Sequence, residues 1–335
     1  MKSFSHNPGH QLMLPGTSVA LKVFPTRIEC KDLIDEKSAC FTWKMQRSLT
    51  PFTVEQDLEK KQVLIYGEDA LGYFRFRIEA KEGSLYLFVE KAPIAGFSLD
   101  GFAPLHKGDK ALLMEGVLQT TELFLERLFL GCNKEKKIDK IRERCNCAEI
   151  LPLWFYLGQM TPKTAPVDGA ARTLLLQGKE RTDAFLELYL SRFSAGLSPR
   201  MNDEEFQGIL PLEEKEGSPL FLLSEGAAYI RSLFFEEVLG KYHFLPSLPS
   251  KLVVGKMVGV RTEASHLIDI EWTKNKLRRI CIHIQREETI YPVFPKDIQE
   301  CRLKRKIREK GTILRAGESF EGKVGEKIWL DRFQK

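Results

Sequence analysis

The sequence predicts a multidomain chain of α and β parts: an N-terminal antiparallel β-sandwich, a central helical layer and a C-terminal β-sandwich. Three observations predict it. From Ser18 to Met114, short runs of branched and aromatic residues alternate with polar ones between turn signals. From Gly116 to Gly240 the apolar spacing turns helical. Beyond Pro249 the period returns to two, with a polar turn between two alternating runs. The boundaries this sets are 1–16 (flexible N-terminus), 17–115 (β-sandwich), 116–240 (helical) and 241–335 (C-terminal β-domain).

Composition narrows the function classes. A 335-residue chain has room for two or three domains, and 43% hydrophobic with 29% charged residues is typical of globular proteins. Net charge is +5, with Lys and Arg interleaved among Asp and Glu, so no dedicated nucleic-acid surface is expected. The seven cysteines are odd in number and irregular in spacing, unlike a secreted disulfide framework; reduced thiols in a cytoplasmic protein are expected. Met1–Pro15 has no signal-peptide core, and no 18-residue apolar segment predicts a membrane span. Oligomeric state leaves no mark in the sequence.

Residues 1–16, rich in Gly, Pro and His, predict a loose terminus; His6 and His10 alone supply too few ligands for a closed zinc shell. Strands are predicted at Val19–Val23, Arg27–Cys30, Cys40–Lys44, Pro51–Val54, Gln62–Tyr66, Gly72–Ala80 and Leu85–Glu90, then at Gly96–Leu99 and Lys110–Met114. In Gly72–Ala80, Tyr73, Arg75 and Arg77 alternate with Phe74, Phe76 and Ile78. The arginine face is either solvated or the recognition face for an acidic ligand.

A helix is predicted over Val117–Leu130, with Glu122 and Glu126 four apart on one face. That pair reads as a solvated face or as carboxylates turned to a groove. Cys145-Asn146-Cys147 has no second pair at zinc-site distance, so neither metal nor cofactor is expected. In Ala148–Met160, Pro152 suits a first helical turn, and Trp154, Phe155 and Tyr156 spread aromatic mass over adjacent faces. Trp154, Tyr156, Gln159 and Glu149 could stack on and hydrogen-bond a sugar, or form a packed cluster. Asp168, in the Pro/Gly/Thr-rich loop Thr161–Gly169, lines a cleft or makes a turn. A further helix falls in Ala170–Ser191, with Asp183 and Glu187 four apart.

Glu225–Leu239 reads as a helix, and Phe244-Leu245-Pro246-Ser247-Leu248-Pro249 as a stiff apolar strap. Strands follow at Leu252–Val258 and His266–Trp272, the latter joined through Lys274-Asn275-Lys276 to Leu277–Gln285 as a hairpin. Arg302–Arg308 is the densest basic run and reads as a charged strand edge or, less in keeping with its composition, an RNA contact.

The strap, the segment Gly255–Arg261 and the strand Ile268–Trp272 resemble the junction between helical barrel and C-terminal β-domain in glycoside hydrolase family 95, the inverting α-L-fucosidases, and their (α/α)6-barrel relatives. The resemblance covers about fifty residues and implies a six-hairpin, glycoside hydrolase-like scaffold. With only about five helices predicted, the helical layer would be a partial α/α toroid. The family's Asp-Gly-Asn segment would fall at Phe221–Glu225, which reads Phe-Leu-Leu-Ser-Glu here. Glu225 is the nearest carboxylate. The implied function is carbohydrate-active: hydrolysis or binding of a glycan, or, failing that, a non-catalytic glycan- or protein-interaction role. An inverting hydrolase needs two carboxyls about 6.5–9.5 Å apart. Glu149 and Glu225 are the catalytic candidates, drawn from a pool that also holds Glu122, Asp168 and Asp183. Trp154, Tyr156, Gln159 and Asp168 are the ligand-binding candidates.

Overall fold

The structure is a computed structural model that describes all residues except 44–50, 121–123, 133, 167–168, 179–182, 201–217, 219 and 307. The N-terminal half contributes ten strands: β1 (Lys2–Ser5), β2 (His10–Met13), β3 (Val19–Phe24), β4 (Arg27–Asp32), β5 (Ser38–Thr42), β6 (Phe52–Asp57), β7 (Gln62–Asp69), β8 (Gly72–Lys81), β9 (Ser84–Lys91) and β10 (Lys110–Glu115). They form a six-stranded sheet, β1-β6-β7-β8-β9-β10, and a four-stranded sheet, β2-β3-β4-β5. All the pairings are antiparallel. Residues 1–16, expected to be loose, pair into both sheets because Ser3, Ser5, Leu12 and Met13 have inward-facing partners. Between the sheets lies a core of Leu21, Val23, Ile28, Val54, Ile65, Phe76, Ile78, Leu87 and their neighbours.

Strand β11 (Arg127–Phe129) crosses to the other half of the molecule. Then come α1 (Ile138–Arg144), α2 (Cys147–Met160), α3 (Ala170–Gln177), α4 (Asp183–Arg192) and α5 (Phe221–Ser232). The remaining strands are β12 (Phe235–Val238), β13 (Lys241–Phe244), β14 (Val254–Arg261), β15 (Leu267–Thr273), β16 (Lys276–His283), β17 (Glu288–Val293), β18 (Glu300–Lys304), β19 (Thr312–Arg315), β20 (Phe320–Gly322) and β21 (Lys327–Gln334). A seven-stranded sheet, β11-β14-β15-β16-β21-β18-β19, faces a four-stranded one, β12-β13-β17-β20, in which β13 and β17 run parallel.

One continuous core joins the helices to this second sandwich and to the outer face of the first. Met13, Ala20, Leu33 and Leu58 meet Trp154, Phe185, Tyr189 and Phe193, and these continue into Phe234, Ile270 and Trp272. Helices α2 and α5 are its centre. Gly158 and Gly226 let them approach: a Cβ on Gly158 would lie 2.1 Å from the Leu223 carbonyl oxygen, and one on Gly226 2.4 Å from Trp154 Nε1. Trp272 plays the same part beneath β14, donating from Nε1 to the Leu252 carbonyl (2.9 Å) and stacking on Phe234 at 4.9 Å.

This architecture corrects the expected fold class. The described residues contain five helices, of 7 to 14 residues, and the molecule is dominated by β-sandwich sheets. Helices this few and short cannot build an (α/α)6 toroid or a layer of one. The predicted helix over Val117–Leu130 is extended where it is described from 124 on, because Leu128 and Leu130 turn inward while Arg127 and Phe129 turn out, a period of two. The helix predicted to run to Leu239 ends at Ser232. A Leu239-Gly240 turn (φ 50° and 71°) then folds Phe235–Phe244 into a hairpin. The resemblance to glycoside hydrolase family 95 therefore does not extend to its fold, and the six-hairpin glycosidase-like description falls with it.

Candidate functional site

Helix α2 sets the site. Asn146 caps it, its side chain accepting the Ala148 amide proton at 2.9 Å. Pro152 lies inside the helix instead of in its first turn. Having no N–H, it leaves the Ala148 carbonyl without the usual helical donor. Glu149, Pro152, Leu153 and Tyr156 are spaced three and four apart and share one face. That face closes a cavity of about 300 Å³ against β11 and the residues that follow it. Leu128, Leu130, Pro152 and Leu153 provide apolar wall, and Glu59, Arg127, Cys132 and Lys136 provide polar groups.

Glu149 is fully buried and fully engaged. Its Oε2 accepts from Arg144 Nε at 2.8 Å and its Oε1 from the Cys132 thiol at 3.2 Å. Burial pushes the carboxyl upward, but Arg144 and Cys132 outweigh it and hold Glu149 below the ordinary carboxylate range. The position in the first turn of α2 adds the favourable field of a helix N-terminus. Tyr156 is buried, which raises its phenol, and the Arg127 guanidinium stands 5.9 Å from its ring centre. Arg127 also meets Glu59 at 3.3 Å in an exposed pair. Lys136 is half-buried and forms no ion pair among the described residues.

The other candidates are elsewhere. Trp154 points to the opposite side of α2, wedged edge-on between Phe185 and Phe193, with Nε1 donating to the Leu222 carbonyl at 3.2 Å. Gln159 clamps the chain ahead of β11. Its Nε2 donates to the Glu126 carbonyl (3.0 Å), and its Oε1 accepts from the Glu126 amide (2.8 Å). It lines a separate open cleft of about 540 Å³ with Lys163, Arg231, Arg261 and Glu263. Glu225 is half-buried on α5, lines neither space and forms no ion pair among the described residues. Asp168 and Glu122 lie outside the described residues. Glu149 and Tyr156 thus converge, while Trp154, Gln159 and Glu225 do not join them.

A helical reading of 117–130 hides Arg127, and Lys136 lies in the charged stretch Lys134-Glu135-Lys136-Lys137, where nothing in the sequence distinguishes it. The signal available was the Arg-Leu-Phe-Leu alternation at 127–130, which marks a strand with Arg127 outward. Among the described residues no group of three or more His, Cys, Asp or Glu could hold a metal, and no helix is long and apolar enough to cross a membrane. Without the helical toroid, the carbohydrate-active function expected from it has no scaffold to stand on, and the carbohydrate-binding and glycoside hydrolase-like descriptions are withdrawn. The chain matches no protein-family model and no curated protein.

Proposed function

We infer that this protein binds a small molecule with an apolar body and an anionic head, in the cavity between β11 and α2. The observation that carries the reading is the pairing, in one space of about 300 Å³, of an apolar wall with two cations, Arg127 and Lys136. Pockets of this size, at junctions between structural layers, with few polar groups that fix orientation, are the usual form of a small-molecule site. Lys136 forms no ion pair among the described residues and only helps, through its field, to hold Glu149 ionised, while Arg127 has its exposed pair with Glu59, of small worth, and its contact with Tyr156, so a ligand carboxylate competes for both. The Tyr156 hydroxyl adds a third donor beside Arg127.

Binding is favoured over catalysis by the state of Glu149. A general acid is kept protonated by a raised pKa and a general base has a free oxygen; Glu149 is shifted downward and both its oxygens are taken. Its role in this reading is to hold Arg144 and Cys132, and through them the wall of the cavity.

The test is a thermal-shift series with decanoate, decanol and acetate. Decanoate raises the melting temperature in proportion to its binding, decanol raises it less, and acetate leaves it unchanged. Equal effects of decanoate and decanol would remove the anionic head from the reading, and no shift with either would remove the site.

A further inference from the structure

A second groove, of about 540 Å³, opens on the outer face of the seven-stranded sheet between the β15–β16 turn and the end of β21. Its lining carries Lys274, Lys276, Arg278, Arg279, Arg302 and Arg332 against Glu271 and Asp331. Both carboxylates are already neutralised. Arg279 Nη2 donates to Glu271 at 2.8 Å, and Arg302 grips Asp331 with Nε and Nη2 at 2.7 and 2.8 Å. Lys256 adds a further contact to Glu271 at 3.4 Å. Lys274, Lys276, Arg278 and Arg332 are exposed and form no ion pair among the described residues. Three of these cations, Lys274, Lys276 and Arg278, line the groove without an ion pair among the described residues, and Arg332 adds its charge beside the Arg302-bound Asp331, so the four repel each other.

Backbone irregularities put three of them there. Lys274 and Asn275 are both left-handed (φ 53° and 55°) and form the two central residues of the hairpin turn. That turn favours Asn-Gly, and a lysine at its first position is strained. Asn275 then ties the turn to the strap, donating from Nδ2 to the carbonyls of Pro249 and Ser250 at 3.2 Å. Arg278 is the extra residue of a β-bulge: Trp272 pairs with Leu277 and Glu271 with Arg279, so Arg278 has no cross-strand partner. Arg332 is left-handed (φ 52°) and sits in a second bulge, where Glu300 pairs with Gln334 but Arg302 pairs with Asp331. A bulge re-aims a side chain, and these three departures from regular pairing converge on one groove.

We propose that this groove is a binding site for a compact polyphosphate: two or more adjacent phosphoryl groups, free or carried by a nucleotide. Guanidinium forks match phosphoryl oxygens in pairs, and the two lysines supply mobile point charges. A single carboxylate or sulfate would neutralise only part of the cluster. A nucleic-acid backbone asks for cations along a track, whereas here they are gathered at one end of a sheet whose centre carries Asp269 and Glu271.

Isothermal titration of the full chain with sodium triphosphate tests this, in 50 mM and 300 mM NaCl. The expected result is saturable one-site binding, at least about tenfold tighter than sulfate and weakened by salt. Lys276→Ala and Arg278→Ala each weaken it about 3- to 10-fold. Both side chains are exposed and form no ion pair among the described residues, so the melting temperature stays unchanged. ATP binding tighter than triphosphate assigns the site to a nucleotide; equal binding assigns it to the bare polyphosphate. Triphosphate binding no tighter than sulfate, or unaltered in the Lys276→Ala/Arg278→Ala double variant, overturns the proposal. So does a single-stranded RNA that binds this face and is not displaced by triphosphate.

Discussion

Arg231 Nε donates to both carboxylate oxygens of Glu126, at 3.0 and 2.9 Å, in a bifurcated ion pair. The pair joins the segment ahead of β11 to the last turn of α5. It also reaches the C-terminal sheet: the Arg261 amide donates to Glu126 Oε1 (2.9 Å), and Arg231 Nη2 donates to the Arg261 carbonyl (2.7 Å). Three parts of the chain are therefore fixed by one carboxylate. Glu126→Ala is expected to destabilise the protein by about 2–4 kcal/mol, because it strands a half-buried guanidinium and a backbone N–H. Glu126→Gln should cost less, since an amide oxygen still accepts. Urea denaturation of the two variants checks the order.

Close helix contact makes its own forecast. Gly226→Ala places a Cβ within 2.4 Å of Trp154 Nε1, so α2 and α5 must separate or Trp154 must leave its rotamer. A loss of about 1–3 kcal/mol is expected, typical of an overfilled core. Adding Trp154→Phe, which removes the crowded part of the indole, should make the double variant less damaged than the two single losses summed. Strict additivity in a double-mutant cycle would contradict this packing.

The cysteines should divide by burial. Cys30 and Cys301 are buried thiols pushed up to about 12, and Cys147 to about 11, all chiefly by desolvation. Cys40 is exposed. A thiolate-specific reagent at pH 8 should modify Cys40 first in the native protein, and Cys30, Cys147 and Cys301 only after denaturation. Mass mapping of the labelled sites reads the order.

Glu149 makes part of the stability acid-sensitive. Its folded value lies below the ordinary one that the unfolded chain returns to. Its contribution is therefore complete above the ordinary carboxylate range and disappears as pH falls through the depressed folded value. Asp331, held low by Arg302, acts in the same direction. Stability measured by urea should fall between pH 5 and pH 3, and Glu149→Gln should flatten part of that fall while costing about 1–3 kcal/mol at pH 7.

Local pattern carried much of the secondary structure. Tyr73–Ile78 lies within β8, and the alternation through Trp272 gave β15 within a residue of its ends. The turn Lys274-Asn275 fell where expected. Failures came where tertiary pairing decides. Arg127–Phe129 is a strand because it finds the edge of β14, which is far away in sequence, and no window around Val117–Leu130 contains that partner. Phe235–Val238 leaves the helical pattern because it can pair with Lys241–Phe244. At the site, the sequence groups Glu149 and Tyr156 with Trp154 and Gln159, of which the helix turns the last two elsewhere, and it gives no sign of the meeting of Glu149 and Tyr156 with Arg127 and Lys136, which depends on β11. The bulges at Arg278 and Arg332 leave no periodic trace, since a single extra residue looks like an interrupted alternation.

The most direct measurement is calorimetric titration of decanoate into the native chain and into Ala148→Phe, whose ring would fill the cavity beside Pro152. One site per chain with a Kd of roughly 1–100 μM is expected for a ligand of this size. That heat should vanish in Ala148→Phe and weaken several-fold in Lys136→Ala. Absence of binding to the native chain, or binding that Ala148→Phe leaves intact, would contradict the assignment of the cavity as the ligand site.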